Sequence, residues 1–138
     1  MTSSVSSATW RRVTLRAGIA VYWMVMFLAT HLPVEPVIER LPTSDKHLHF
    51  GAYALLGFAL PWWRAGARGA RWSHAFALYL IVLAYAGCDE LLQAPVGRSP
   101  EWGDWLADAA GSLVGLGIGT WLQHRCARSC SLAHAGAE

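Results

Sequence analysis

Residues 75–94 read AFALYLIVLAYAGCDELLQA, an apolar run that ends in two acids, Asp89 and Glu90. At about 1.5 Å per helical residue, such a run crosses about 30 Å, the thickness of a bilayer's hydrocarbon core. Almost no polar face alternates along it, so it does not resemble the amphipathic helix of a soluble domain. A carboxylate at the centre of a membrane helix costs about 2.5–3.5 kcal/mol on insertion scales, and less near the interface. Acids in such places face a protein interior or a watery cavity, and they mark a functional site by default. The arrangement recurs downstream. Asp104 precedes LADAAGSLVGLGIGTWL at 106–122, and Asp108 lies inside that run.

Two further apolar segments lie at 15–32 and 48–63. The latter is short for a span and borrows His47 and the Trp62–Trp63 pair at its boundaries, where tryptophans suit a membrane interface. The chain is 54% hydrophobic and 14% charged, against about a quarter charged in soluble domains. These features predict an all-α fold: an integral membrane four-helix bundle with up-down topology. The membrane domain would cover 15–122, with a cytoplasmic segment at 1–14 and a cytoplasmic tail at 123–138. Three cysteines, Cys88, Cys126 and Cys130, give no disulfide framework. The first segment follows Arg11, Arg12 and Arg16 as a signal peptide would, but no small-x-small cleavage site follows Leu28-Ala29-Thr30-His31. A retained anchor is expected.

Charge placement predicts orientation. If all four segments cross, the N-terminus, the Arg64–His74 connection and the tail share one side, with Arg11, Arg12, Arg16, Arg64, Arg68, Arg71, Arg125 and Arg128. The other side keeps Arg40, Lys46 and Arg98 and nearly every acid. The positive-inside rule then places both termini in the cytoplasm of a multi-pass cell-membrane protein.

Three polar groups would meet at the outer helix ends. Asp45, His49 and Tyr53 are four residues apart and share a helix face, with Lys46 beside them. Tyr85, Asp89 and Gln93 form a second stripe, with Glu90 rotated by about 100°. Asp104, Asp108 and Ser112 form a third, flanked by Gly111, Gly115 and Gly119, a small-residue face for close helix approach. His47 and His49 lie about 200° apart on a helix, so they do not chelate one ion together. Spacing alone assigns no metal ligand. The tail pattern His124-x-Cys126-x3-Cys130-x3-His134 has ligand-like spacing but fits a solvated segment better. His31 is expected to end the first span at the interface. Plain structural roles stay open: a His49–Asp45 clamp, an Asp89–Arg98 ion pair, and Asp104 as a first-turn acid.

The order Asp45-Lys46-x-x-His49-x-x-x-Tyr53-x-x-x-Gly57, Asp89-Glu90-x-x-Gln93, Gly97-Arg98, Asp104, Asp108-x-x-Gly111 and Gly115 resembles the VanZ-like family. The resemblance covers about half the chain, residues 43–119. It implies a small multi-spanning membrane protein. One branch of that family is associated with low-level teicoplanin resistance, and its biochemical activity is unassigned. Many members carry Asn where this chain has Asp108, which adds a titratable group here.

An acid surplus beside His49 and Arg98 suggests an enzyme at the outer leaflet acting on a lipid-linked or cell-wall-related substrate in an outward-facing pocket. The carboxylates and His49 would serve as acid/base groups or metal ligands, with Arg98 holding a phosphate or carboxylate. Catalytic candidates are His49, Asp89, Glu90 and Asp108. Ligand-binding candidates are Asp45, Lys46, Tyr53, Gln93, Arg98 and Asp104. The partner expected everywhere is the lipid bilayer, and nothing suggests nucleic acid. No cofactor is indicated. A non-catalytic membrane accessory or binding protein is the alternative. A proton or cation pathway is a third, opposed by the scarcity of polar residues in the inner halves of the spans.

Overall fold

The computed structural model describes residues 3–31, 45–63, 71–96 and 100–135, which form an all-helical molecule with no strand among them. Side chains are described for 7, 9–31, 45–63, 71–95 and 100–129. Helix α1 is Ser3–His31, α2 is Asp45–Trp63, and α3 is Trp72–Gln93, closed by a 3-10 turn at Ala94–Val96. Helix α4 is Trp102–Ala135. Arg98, Gly97 and the connections at 32–44 and 64–70 lie outside the described residues.

Helices α1 and α4 run well past the apolar segments inside them. The helix of α4 continues beyond 122 because QHRCARSCSLAHA holds no glycine or proline, and the next helix breaker is Gly136. Asp45 and Asp104 sit in the first turns of α2 and α4, where a negative charge meets the positive end of the helix dipole.

Thr9–His31 and Trp72–Gln93 are long and apolar enough to cross a membrane. Helices α2 and α4, expected to cross as well, do not reach that level. Helix α2 opens with Asp45, Lys46, His47 and His49, and α4 carries Asp104, Asp108, Ser112, Thr120 and Gln123, which lower their average apolarity.

The tightest packing is between α2 and α4. A Cβ added at Gly111 would strike the Phe50 carbonyl, and one at Gly115 would strike the Ala54 carbonyl. One at Gly119 would come 2.5 Å from the Phe58 oxygen, and one at Gly57 would come 2.6 Å from the Ser112 oxygen. The contacts advance together along both helices, so the four-residue glycine spacing of α4 matches Phe50, Ala54 and Phe58 on α2. Only hydrogen at those positions allows the two backbones to approach so closely.

Helix α4 meets α3 through Trp105, whose Nε1–H donates to the Leu83 carbonyl at 3.3 Å. Helix α1 is tied to α2 by Tyr22 Oη donating to the Ala52 carbonyl at 2.9 Å, and by Arg16 Nε donating to that of Trp63 at 3.0 Å. The apolar core is small: Ile19, Met26, Tyr53, Leu56, Leu60, Val82, Ala86 and Leu116.

The surface inverts the usual pattern. Val21, Met24, Val25, Phe76, Ile81, Leu91, Leu113 and Ile118 are exposed, while His49, Asp89, Glu90, Gln93, Asp104, Asp108, Ser112, Thr120 and Gln123 are buried. In water the reverse arrangement would minimise free energy.

Candidate functional site

The α2–α4 seam delivers two groups to one point. His49 lies one residue before Phe50, and Asp108 lies one turn before the Gly111 that receives Phe50. Close backbone approach therefore brings the side chains together: His49 Nδ1–H donates to Asp108 Oδ1 at 3.0 Å. Asp108 is 1% exposed and His49 7%. The other ring nitrogen, Nε2, stands 4.0 Å from Asp45 Oδ1, one turn earlier on α2.

Helix α3 supplies Glu90 and Gln93 through its last turn. Gln93 Nε2 donates to Glu90 Oε1 at 3.4 Å, and the backbone N–H of Glu101 donates to Oε2 at 3.1 Å. Both carboxylate oxygens are thus held, one from α3 and one from the entry to α4. Donor atoms of His49, Glu90 and Asp108 all lie within 4.8 Å of one another, and those of Asp45, His49 and Asp104 form a second such group.

Lys46 closes the outer edge. Its Nζ donates to Glu101 Oε2 at 2.9 Å and to Asp104 Oδ1 at 3.4 Å. These two acids hold the lysine above its ordinary pKa, the hydrogen bond to Glu101 contributing most, so the ammonium stays charged at neutral pH.

Asp89 is turned the other way, toward α1. It accepts from Tyr85 Oη at 3.3 Å and lies 3.7 Å from His31 Nδ1, with Thr30 alongside. Tyr53 occupies the space between, 2% exposed, facing the charges of Asp108, Asp89 and Glu90. Its hydroxyl is buried without a hydrogen-bond partner among the described residues. An unpaired buried hydroxyl costs about 1–3 kcal/mol, and here it sits at the centre of the acids.

Two grooves reach this cluster. One of about 170 Å³ between α1 and α2 is lined by Met26, Thr30, Asp45, His49, Ala52 and Tyr53. A larger one of about 610 Å³ between α3 and α4 has walls that include Leu83, Gly87, Leu91, Trp102 and Trp105, and Glu90 is part of its lining.

Of the residues singled out in the sequence, His49, Glu90, Asp108, Asp45, Asp104, Lys46, Gln93 and Tyr53 converge. Asp89 borders the cluster from the α1 side. Arg98 lies outside the described residues. His47 is exposed, pointing away from His49 as the helical angle requires. Three contributions were not foreseen. His31 and Thr30 reach Asp89 across helices, a contact that no spacing within α1 reveals. Glu101, besides its side-chain pairing with Lys46, acts through its backbone N–H, which no side-chain pattern reports. Polar burial also continues down α4 through Thr120 and Gln123, so the inner half is less apolar than its sequence suggested.

No family model, curated protein or solved structure matches the chain. The chemistry must be read from the residues alone. They offer one imidazole and several carboxylates for proton transfer or cation binding. The nearby aliphatic hydroxyls are turned to backbone carbonyls of their own helices: Thr30 donates to Phe27 at 2.9 Å and Ser112 to Ala109 at 3.1 Å. Neither is arranged as a nucleophile activated by His49.

Proposed function

We propose that this chain is a VanZ-like protein of the cell membrane, crossing it four times in up-down order with both termini in the cytoplasm. Its buried cluster is an outward-facing pocket that binds, or acts on, the polar part of a lipid-linked or cell-wall-related substrate. The observation that carries this proposal is the inverted burial: charged and polar side chains packed inside, large apolar side chains turned out. Lipid around the bundle would solvate the exposed apolar face, and the polar cluster would be sheltered from it.

The contact directions support the up-down order. Contacts advance in the same sense along α2 and α4. They run in opposite senses between α1 and α2, where Tyr22 meets Ala52 and Arg16 meets Trp63. The groove beside Glu90 supports a lipid-linked substrate, because its apolar walls suit an acyl chain whose head reaches the acids. The non-catalytic alternative draws on the Thr30 and Ser112 hydroxyls, both occupied locally.

The test is comparative mass spectrometry of lipids and cell-wall precursors in a deletion strain, the wild type and a strain carrying Glu90→Gln. A precursor that accumulates in both altered strains, at unchanged protein level, supports the proposal. Identical profiles in all three reject it. Accumulation in the deletion strain alone removes the carboxylate from the function and leaves a scaffold.

A further inference from the structure

We propose that His49, Glu90 and Asp108 bind one divalent first-row cation, of the class of Zn²⁺ or Mn²⁺. The three come from α2, α3 and α4, so the seat exists only in the folded bundle. One imidazole nitrogen with two carboxylates is a mixed N/O set suited to such ions.

The geometry is close to what a metal requires. Ligand atoms stand about 2.0–2.2 Å from such an ion, so two of them are separated by at most about 4.4 Å. His49 Nδ1 and Asp108 Oδ1 are already 3.0 Å apart, and all three donors lie within 4.8 Å; binding the ion releases the proton that Nδ1 now donates to Asp108. Glu90, the most flexible of the three, closes the remainder by rotation. All three are more than nine-tenths buried.

The surroundings match those of a ligand set. Metal-bound histidines commonly offer their second nitrogen to a carboxylate, and bound carboxylates are themselves hydrogen-bonded. Asp45 faces His49 Nε2, and Gln93 and the Glu101 N–H hold Glu90. The independent sign is Tyr53. Its buried, unpartnered hydroxyl faces Asp108 and Glu90, where a ligand or water on the ion would complete it.

Charge gives the ion a purpose. The cluster buries Asp89, Glu90, Asp104 and Asp108, and Lys46 neutralises at its edge. Such a pocket repels a phosphate-bearing head. A dication reverses the local sign and lets the same pocket hold an anion. This inference rests on the cluster being the ligand seat proposed above.

The experiment uses the full chain, untagged, purified in detergent and stripped with EDTA. Zn²⁺ and Mn²⁺ are titrated separately by calorimetry, with bound metal counted by mass spectrometry. The expected result is about one equivalent per chain for at least one ion. Glu90→Gln and Asp108→Asn, both near-isosteric, should each weaken binding at least tenfold, whereas His47→Ala on the exposed face should not. Wild-type protein that binds neither ion stoichiometrically overturns the proposal, as does full affinity in Glu90→Gln. If metal fails while the Glu90→Gln strain still accumulates precursor, the cation is lost and the lipid function stands. Stoichiometric metal without any lipid change supports the cation and sinks the function.

Discussion

Replacing Gly115 with alanine tests the architecture at the point where it is tightest. The new Cβ would sit 2.7 Å from the Phe58 nitrogen and 2.8 Å from the Ala54 carbonyl carbon, and would overlap the Ala54 oxygen. Those are backbone atoms of α2 and cannot swing aside, so the helices must part by about 1 Å to restore ordinary contact. Such a gap forfeits about a quarter to a half of each contact's attraction. If the seam makes about as many heavy-atom contacts as one buried leucine, some 40–60 at about 0.1–0.2 kcal/mol each, the loss is about 2–4 kcal/mol. Alanine returns about 1 kcal/mol through better helix propensity. The net destabilisation is then about 1–3 kcal/mol, within the usual range for overpacked cores. Gly117 provides the control, because a Cβ there meets nothing within 4 Å. Gly117→Ala should be neutral or stabilise by up to about 1 kcal/mol. Denaturant unfolding of both variants in detergent, followed by far-UV circular dichroism, makes the comparison. Equal stability of Gly115→Ala and wild type, or equal loss in both variants, would refute the seam.

Three other perturbations address the site and the orientation. Asp108→Leu leaves the buried His49 Nδ1 without its acceptor and should destabilise by about 1–3 kcal/mol, whereas Asp108→Asn keeps an acceptor oxygen and should cost less; thermal melts that rank them the other way contradict the bond. Lys46 has a folded pKa above its ordinary value because Glu101 and Asp104 favour its charged form. Its stabilisation is therefore complete below about pH 10 and lost as pH rises through the folded value. Wild type and Lys46→Met should differ in melting temperature at pH 7–9 and converge in stronger alkali, and a gap that does not shrink there refutes the ion pair. In a cysteine-free background, a membrane-impermeant maleimide applied to intact cells should label Trp102→Cys and leave Arg128→Cys unlabelled until lysis; the opposite order would reverse the proposed orientation.

Hydropathy made α3 legible to within a turn, the apolar run at 75–94 matching the helix Trp72–Gln93 closely at its end and less closely at its start. It located α1 and α4 but understated their length, since apolarity records where lipid would be matched and not where the backbone stops coiling. The glycine spacing on α4 was readable as a packing face. Its partner was not, because Phe50, Ala54 and Phe58 carry no mark of their own except in register with Gly111, Gly115 and Gly119. At the site, helical periodicity sorted His49 inward and His47 outward, a property of one helix. It could not show that His49 would choose Asp108 at 3.0 Å over Asp45 at 4.0 Å, a choice made by helix–helix approach. Thr30 and His31 beside Asp89 were hidden for the same reason.

The tryptophans add a measure that neither hydropathy nor burial supplies. Trp102 and Trp105 begin α4, Trp102 strongly exposed and Trp105 edge-on to it, and Trp121 lies far down the same helix, exposed with Arg125 over its ring. Sixteen to nineteen residues separate the two levels, about 24–29 Å of α-helix. That is close to the thickness of a bilayer's hydrocarbon core. Asp104 falls between Trp102 and Trp105 and Asp108 about one turn beyond Trp105, so on the proposed topology the acids would lie where water is still near and the insertion cost is low. Gln123 and Arg125 fall at the other level, with Trp72 stacked on His124 beside them. On the proposed four-span topology, the length of α4 beyond Trp121 would lie past the lipid, which would account for a polar helical end on a chain whose middle turns its apolar side chains outward. If the proposed topology holds, the same ruler would put the His49–Glu90–Asp108 cluster near one interface, where a lipid's head could reach it while its tails remained in the membrane.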